Sequence, residues 1–129
     1  MLNKIVLMGR LTKDPELRQT KNGTPVAGFS LAVERNYAKD GHRETDFFDV
    51  VAWQNRAEFV SKHFVRGQLV CVEGRLQRRQ WTDKDNQTRY AFEVVAESVY
   101  FAGFNKGEGQ NSGDREVDVG FDPFGEDAA

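Results

Sequence analysis

The sequence predicts an all-β domain with one short helix, followed by a disordered acidic tail. Three observations predict it. Apolar residues alternate or run in short blocks over most of residues 1–104. One stretch, "NRAEFVSKHFVRG", breaks that rhythm with a helical one. After Phe104 the apolar pattern stops.

The elements follow in order. "NKIVLMGRL" is apolar on both parities, so it is expected to be a strand covered on both faces. Gly9 inside it points to a bulge or a close backbone approach. "TKDPELRQTKNGTP" reads as connecting loop, with Asn22-Gly23 marking a tight turn. "VAGFSLAVER" alternates and puts Ala27, Phe29, Leu31 and Val33 on one face. "YAKDGHRE" reads as another turn, and "TDFFDVVAW" as the third strand.

The helical stretch comes next. Asn55 with Glu58 has the form of an N-cap and its capping partner, and Gly67 follows the end. "QLVCVEGRLQRRQW" and "RYAFEVVAESVYF" return to strand, joined by "TDKDNQT". Asn86 suits the left-handed position such a turn needs. Three strands, a helix and two strands is the layout of an OB-fold, a five-stranded barrel.

Bulk properties narrow the function. The single cysteine, Cys71, excludes an intrachain disulfide framework and a Cys-based zinc cluster within one chain. It lies in "LVCV" and reads as a small buried residue. No run is apolar enough to span a membrane. The opening "MLNKIVLMGRL" is too short for a signal peptide and is followed by Lys13, so a cytoplasmic protein is expected.

The net charge of −2 hides a division. Residues 1–104 carry 16 Lys and Arg against 13 Asp and Glu, a body of +3. Residues 105–129 carry 2 against 7, a tail of −5. That tail is rich in Gly, Asn and acids and lacks a periodic apolar face, hence the expectation of disorder. The two parts are expected to be a domain over 1–104 and a tail over 105–129.

Side chains alternate across a strand, so parity shows which residues share a face. On "TDFFDVVAW", Phe48, Val50 and Ala52 form the expected core face. Phe47, Asp49, Val51 and Trp53 form the other, which mixes rings with a carboxylate. On "QLVCVEGRLQRRQW", Val70, Val72, Gly74 and Leu76 are apolar. Arg75, Gln77, Arg79 and Trp81 share the opposite side. Arg35 and Tyr37 continue past the core positions of the second strand into a loop.

Exposed rings with arginines suit single-stranded nucleic acid. Bases stack on aromatic faces, phosphates need Lys or Arg along the track, and Arg can also stack. Taken singly, Trp53 or Phe47 is better read as a half-buried packing residue. Trp81, ringed by charges, has the best individual case, and the set outweighs its members.

Two rivals differ in class. A nuclease would use Asp46, Asp49 and Glu58 as metal ligands. Asp46 and Asp49 have opposite parity, and neither His42 nor His63 stands near a plausible nucleophile, so no catalytic residue, metal or cofactor is assigned. The other rival is an OB-fold protein-interaction module of the primosome type, against which the ring set argues.

The body resembles the bacterial single-stranded DNA-binding protein family. The resemblance runs through "NKIVLMGRLTKDPELR", "NGTPVAGFSLA", "TDFFDVVAW", "AEFVSKHFVRGQLVCVEGRL" and "WTDKDNQTRYAFEVVAESVYF". It implies an OB-fold, a homotetramer and ssDNA binding without strong sequence preference, in DNA replication, recombination and repair. Its stacking rings fall on Tyr37, Phe47, Trp53 and Trp81. Its basic contacts fall on Arg18, Arg66 and Arg79, and Arg56 lies beside the position of another. Tyr37 and Phe47 stand where well-known members carry Trp, and stack with less area.

The family also implies that replication and repair proteins grip an acidic tip closing on Pro-Phe. Here "FDPFGEDAA" places Pro123-Phe124 five residues before Ala129. Recruitment through this tip therefore stays open. Asp118, Asp122, Glu126 and Asp127 are expected to compete weakly with DNA for the groove.

Overall fold

The computed structural model describes residues 1–103. The tail expected over 105–129 lies outside the described residues. The strands are β1 (Ile5–Leu11), β2 (Glu16–Gln19), β3 (Pro25–Lys39), β4 (His42–Trp53), β5 (Leu69–Thr82) and β6 (Thr88–Phe101). One helix, α1 (Asn55–His63), stands between β4 and β5. The sheet order is β1-β5-β6-β4-β3-β2, and an additional β1–β3 pairing closes β1, β3, β4, β5 and β6 into a barrel. This is the expected all-β architecture with one short helix.

Within the barrel the alternating segments bury the faces that their parity indicates, while Phe48 and Val33 are half-buried and Leu76, expected on the apolar face of β5, is 40% exposed. Ala27, Phe29 and Leu31 of β3, Val50 and Ala52 of β4, and Val70 and Val72 of β5 are all buried. Val60 and Phe64 come down on them from α1 and its C-terminal cap, and Phe64 meets Phe29 edge-on at 6.0 Å. Gly9 marks a close approach, since a Cβ there would stand 2.5 Å from the Ala32 carbonyl oxygen. This contact lies where β1 turns from its pairing with β5 toward β3.

Three expectations need correction. The loop before β3 contains β2, whose four exposed residues pair with the start of β3. No apolar alternation betrays it, because its stabilisation is a backbone ladder. The Asn22-Gly23 turn within that loop is present: Gly23 has φ +85° and its N–H donates to Thr20 O at 2.8 Å.

The turn "YAKDGHRE" is much shorter than expected. Asp40 and Gly41 take φ 53° and 80°, the left-handed pair that closes a tight hairpin. The ladder therefore runs out to Lys39 and His42, so Tyr37 belongs to β3 and not to a loop.

Asn55 is not the N-cap. Gln54 holds that place with φ 59° and makes no side-chain cap bond. Its N–H is tied to Pro25 O at 2.8 Å, which fixes the corner one residue early. Tertiary bonding here overrides the capping preference of Asn.

β1 is covered on one face only within a single chain. Leu11 is buried, while Val6 and Met8 are 61% and 56% exposed.

Candidate nucleic-acid interface

Two long hairpins position the site. β4 and β6 run parallel where they pair, Val50 with Val94 and Val51 with Val95. Their upstream turns, at Asp40-Gly41 and at residues 83–87, therefore project from the same end of the barrel. The outward parity of β4 carries Phe47, Asp49, Val51 and Trp53. Trp53 is 39% exposed and Phe47 is half-buried. Trp53 stands opposite Val26, which stands opposite Arg18, so ring and cation flank one valine.

The β5–β6 hairpin carries the second half. Arg75, Gln77, Arg79 and Trp81 alternate on its outward side, and Trp81 pairs across with Arg89. Trp81 is 40% exposed, with the Arg79 guanidinium carbon 4.8 Å from its ring centroid. Asp83 builds the turn beneath it. Its carboxylate accepts from the N–H groups of Asp85 and Gln87, both at 2.9 Å, and from Arg89 Nε at 2.7 Å. The Gln87 N–H, then Arg89, hold the Asp83 carboxyl below its ordinary range. Asn86 adopts φ 62°, as its place in the turn demands.

A cleft joins the two halves. Lys13, Arg18, Val51 and Arg79 line it, with Glu16, Asp49 and Glu93. Arg18 pairs with Glu16 and Arg79 with Glu93, each at 3.2 Å. The exposed Arg18–Glu16 pair is worth little, so a phosphate can replace its carboxylate, while Glu93 is mostly buried against Arg79. Arg66 follows the helix, and its backbone N–H donates to Asp14 at 2.8 Å, beside Lys13.

Three arginines stand apart from the cleft. Arg75 donates to Gln77 Oε1 at 2.8 Å on the outward side of β5. Arg56 bonds the Glu97 carbonyl and lines a shallow depression with Phe59 and Tyr100. Arg35 makes a fork to Asp46, with Nε to Oδ2 at 3.0 Å and Nη2 to Oδ1 at 2.9 Å. Its Nη1 lies 2.9 Å from Glu44. Tyr37, 62% exposed, stands beside this network.

Sequence reasoning passed over Lys13, Arg89 and the pair of Tyr90 with Arg78, whose guanidinium lies 4.5 Å from the Tyr90 centroid. Counting outward from Asp85, the middle residue of the turn, places Arg89 opposite Trp81. Lys13 sits in an irregular loop and has no periodic signal. Among the described residues, no three His, Cys, Asp or Glu side chains form a metal-binding group.

A closed five-stranded barrel, its helix between the third and fourth barrel strands and an outward face of rings and arginines, defines an OB-fold of the nucleic-acid-binding class. The model of the Single-strand binding protein family matches residues 2–102, and the chain belongs to that family. The chain is 43% identical to the single-stranded DNA-binding protein of Caldanaerobacter subterraneus, with 98% of this chain and 87% of the relative covered. It is 48% identical to single-stranded DNA-binding protein A of Bacillus subtilis, over 88% and 66% of the two chains. Against the single-stranded DNA-binding protein of Staphylococcus aureus the identity is 44%, over 92% and 74%. The family is one of binders and not of enzymes.

Proposed function

We propose that the chain binds and protects single-stranded DNA, largely without sequence preference, in replication, recombination and repair. Bases stack on Tyr37, Phe47, Trp53 and Trp81. Phosphates are neutralised by Arg18 and Arg79 along the cleft, and by Arg66, Arg56 and Arg75 beyond it. The observation that carries this reading is the cleft with Arg18 beside the Trp53 row and Arg79 beneath Trp81. Stacking accepts any base, because every base has a π-face.

The working unit in this reading is a homotetramer in the cytoplasm, associated with the nucleoid. The exposed Val6 and Met8 support assembly, since β1 leaves apolar surface that one chain does not cover. Residues 1–104 form the DNA-binding domain. Residues 105–129 act as an acidic tail that offers a docking point to replication and repair proteins.

Titration with oligo-dT at two salt concentrations tests the reading. Tight binding that weakens as salt rises, with similar affinity for mixed-sequence single strands and much weaker binding to duplex, supports it. Equal affinity for duplex and single strand would overturn it.

A further inference from the structure

Arg35 has the composition of a phosphate contact and the geometry of something else. Its guanidinium nitrogens face Asp46 twice, at 3.0 and 2.9 Å, and Glu44 once, at 2.9 Å. Little of the fork remains for a phosphate. Arg43 Nη1 also donates to the Arg35 carbonyl at 3.0 Å.

The place of this network is specific. Between the pairs Glu34–Thr45 and Ala38–Arg43 the β3–β4 register slips, so residues 35–37 stand opposite Glu44 alone. A bulge of this kind re-aims side chains and leaves backbone unpaired. Tyr37 is the bulge residue that points a ring into solvent. A planar guanidinium held by a carboxylate at two points fixes direction as well as distance. The Asp46–Arg35 fork ties the first residue of the slipped segment to the regular ladder, where Asp46 pairs with Val33.

We infer that Asp46, acting through Arg35, is a positioning residue for ssDNA binding: the fork holds the β3 bulge so that Tyr37 is presented ready to stack. This rests on the reading of Tyr37 as a stacking ring. Without the fork, the ring must be ordered on each binding event, and that cost appears as lost affinity.

The test turns on a sign. Asp46→Asn removes a negative charge near the DNA and releases a cation, so electrostatics alone predicts tighter binding. Positioning predicts weaker binding. In the full chain, Asp46→Asn is expected to lower oligo-dT affinity about 3-fold or more, within the range of one impaired stack. Arg35→Lys keeps the charge and loses the fork. It is expected to lower affinity similarly while the salt slope stays unchanged. In a Tyr37→Ala background, Asp46→Asn is expected to cost nothing further. A melting scan of each variant establishes that the barrel is folded.

Equal or tighter binding by Asp46→Asn overturns the inference, as does an undiminished loss in the Tyr37→Ala background. If Tyr37→Ala weakens binding and both fork variants bind like the parent, only the positioning role falls. If Tyr37→Ala itself binds like the parent, the stacking assignment of Tyr37 falls, and the inference with it.

Discussion

The Arg79 guanidinium lies over the Trp81 ring, 4.8 Å from its centroid. The two are neighbours on one outward strand face, and Arg79 also meets Glu93 at 3.2 Å. The ring is thus braced by a guanidinium and 40% exposed, at the wet end of a hairpin. Trp81→Ala is expected to weaken ssDNA binding by about 1–3 kcal/mol, the worth of one stacked base. Its melting temperature should barely move, because the ring is half-exposed. Arg79→Ala should instead flatten the log–log salt dependence by about 0.7, one phosphate's share. Quenching of Trp fluorescence by oligo-dT measures both, with Trp81→Phe as the control for Trp53. An early-melting Trp81→Ala that binds like the parent would make Trp81 a packing residue.

Much of this was legible because parity survives where strands are regular. Phe29, Val50 and Val72 turn inward, and Arg79 and Trp81 outward, as counting by twos requires. What escaped depends on long-range bonds. β2 has no buried face and exists by pairing with β3. Gln54 displaces Asn55 as the cap because Pro25, 29 positions earlier, holds its N–H. The Asp46 and Glu44 partners of Arg35 also depend on the bulge, which brings β3 and β4 together out of simple register. Composition identifies an arginine and cannot say which carboxylate it meets.

Gly9 should tolerate no side chain. A Cβ would press on Ala32 O at 2.5 Å and on Val33 Cγ2 at 2.8 Å, at the seam that closes the barrel. The first neighbour is backbone and cannot step aside. Gly9→Ala is expected to cost about 1–3 kcal/mol of stability by overpacking. A denaturant midpoint equal to the parent's would show that the seam has slack.

The β5–β6 turn should resist acid further than an ordinary carboxylate allows. Asp83 is held below its usual value of 3.8 by the Gln87 N–H and then by Arg89. A depressed folded pKa gives stability that is present above 3.8 and lost as pH falls through the folded value. The turn should therefore be unchanged from neutrality to the ordinary Asp range and loosen only below it. Carboxyl NMR of Asp83 checks this, and a midpoint at or above 3.8 contradicts it.

Removing residues 105–129 takes away a charge of −5 and leaves every proposed contact in place. Oligo-dT affinity is expected to stay the same or rise slightly, more so at low salt. A large loss of affinity on truncation would place the tail inside the binding site.

β1 carries the assembly prediction. Ile5, Leu7 and Gly9 face the barrel through their pairs Gly74, Val72 and Val70, which leaves Val6 and Met8 facing out. Met8 stands opposite Cys71, which has Tyr100 on its far side, so this row is apolar across β1, β5 and β6, while Val6 stands opposite Glu73. Exposed apolar surface of this kind on regular strands marks a partner, and a second copy supplies one in a closed, symmetric way. Light scattering at micromolar concentration is expected to give a mass of four chains. Met8→Asp should lower that mass, because a carboxylate in a subunit contact has no counter-charge there. The monomeric barrel should keep its far-UV signal, since Met8 points away from its core. Single-chain mass for the parent protein would remove the oligomer from the proposed function. A tetramer that survives Met8→Asp would mean that the subunits meet on another face.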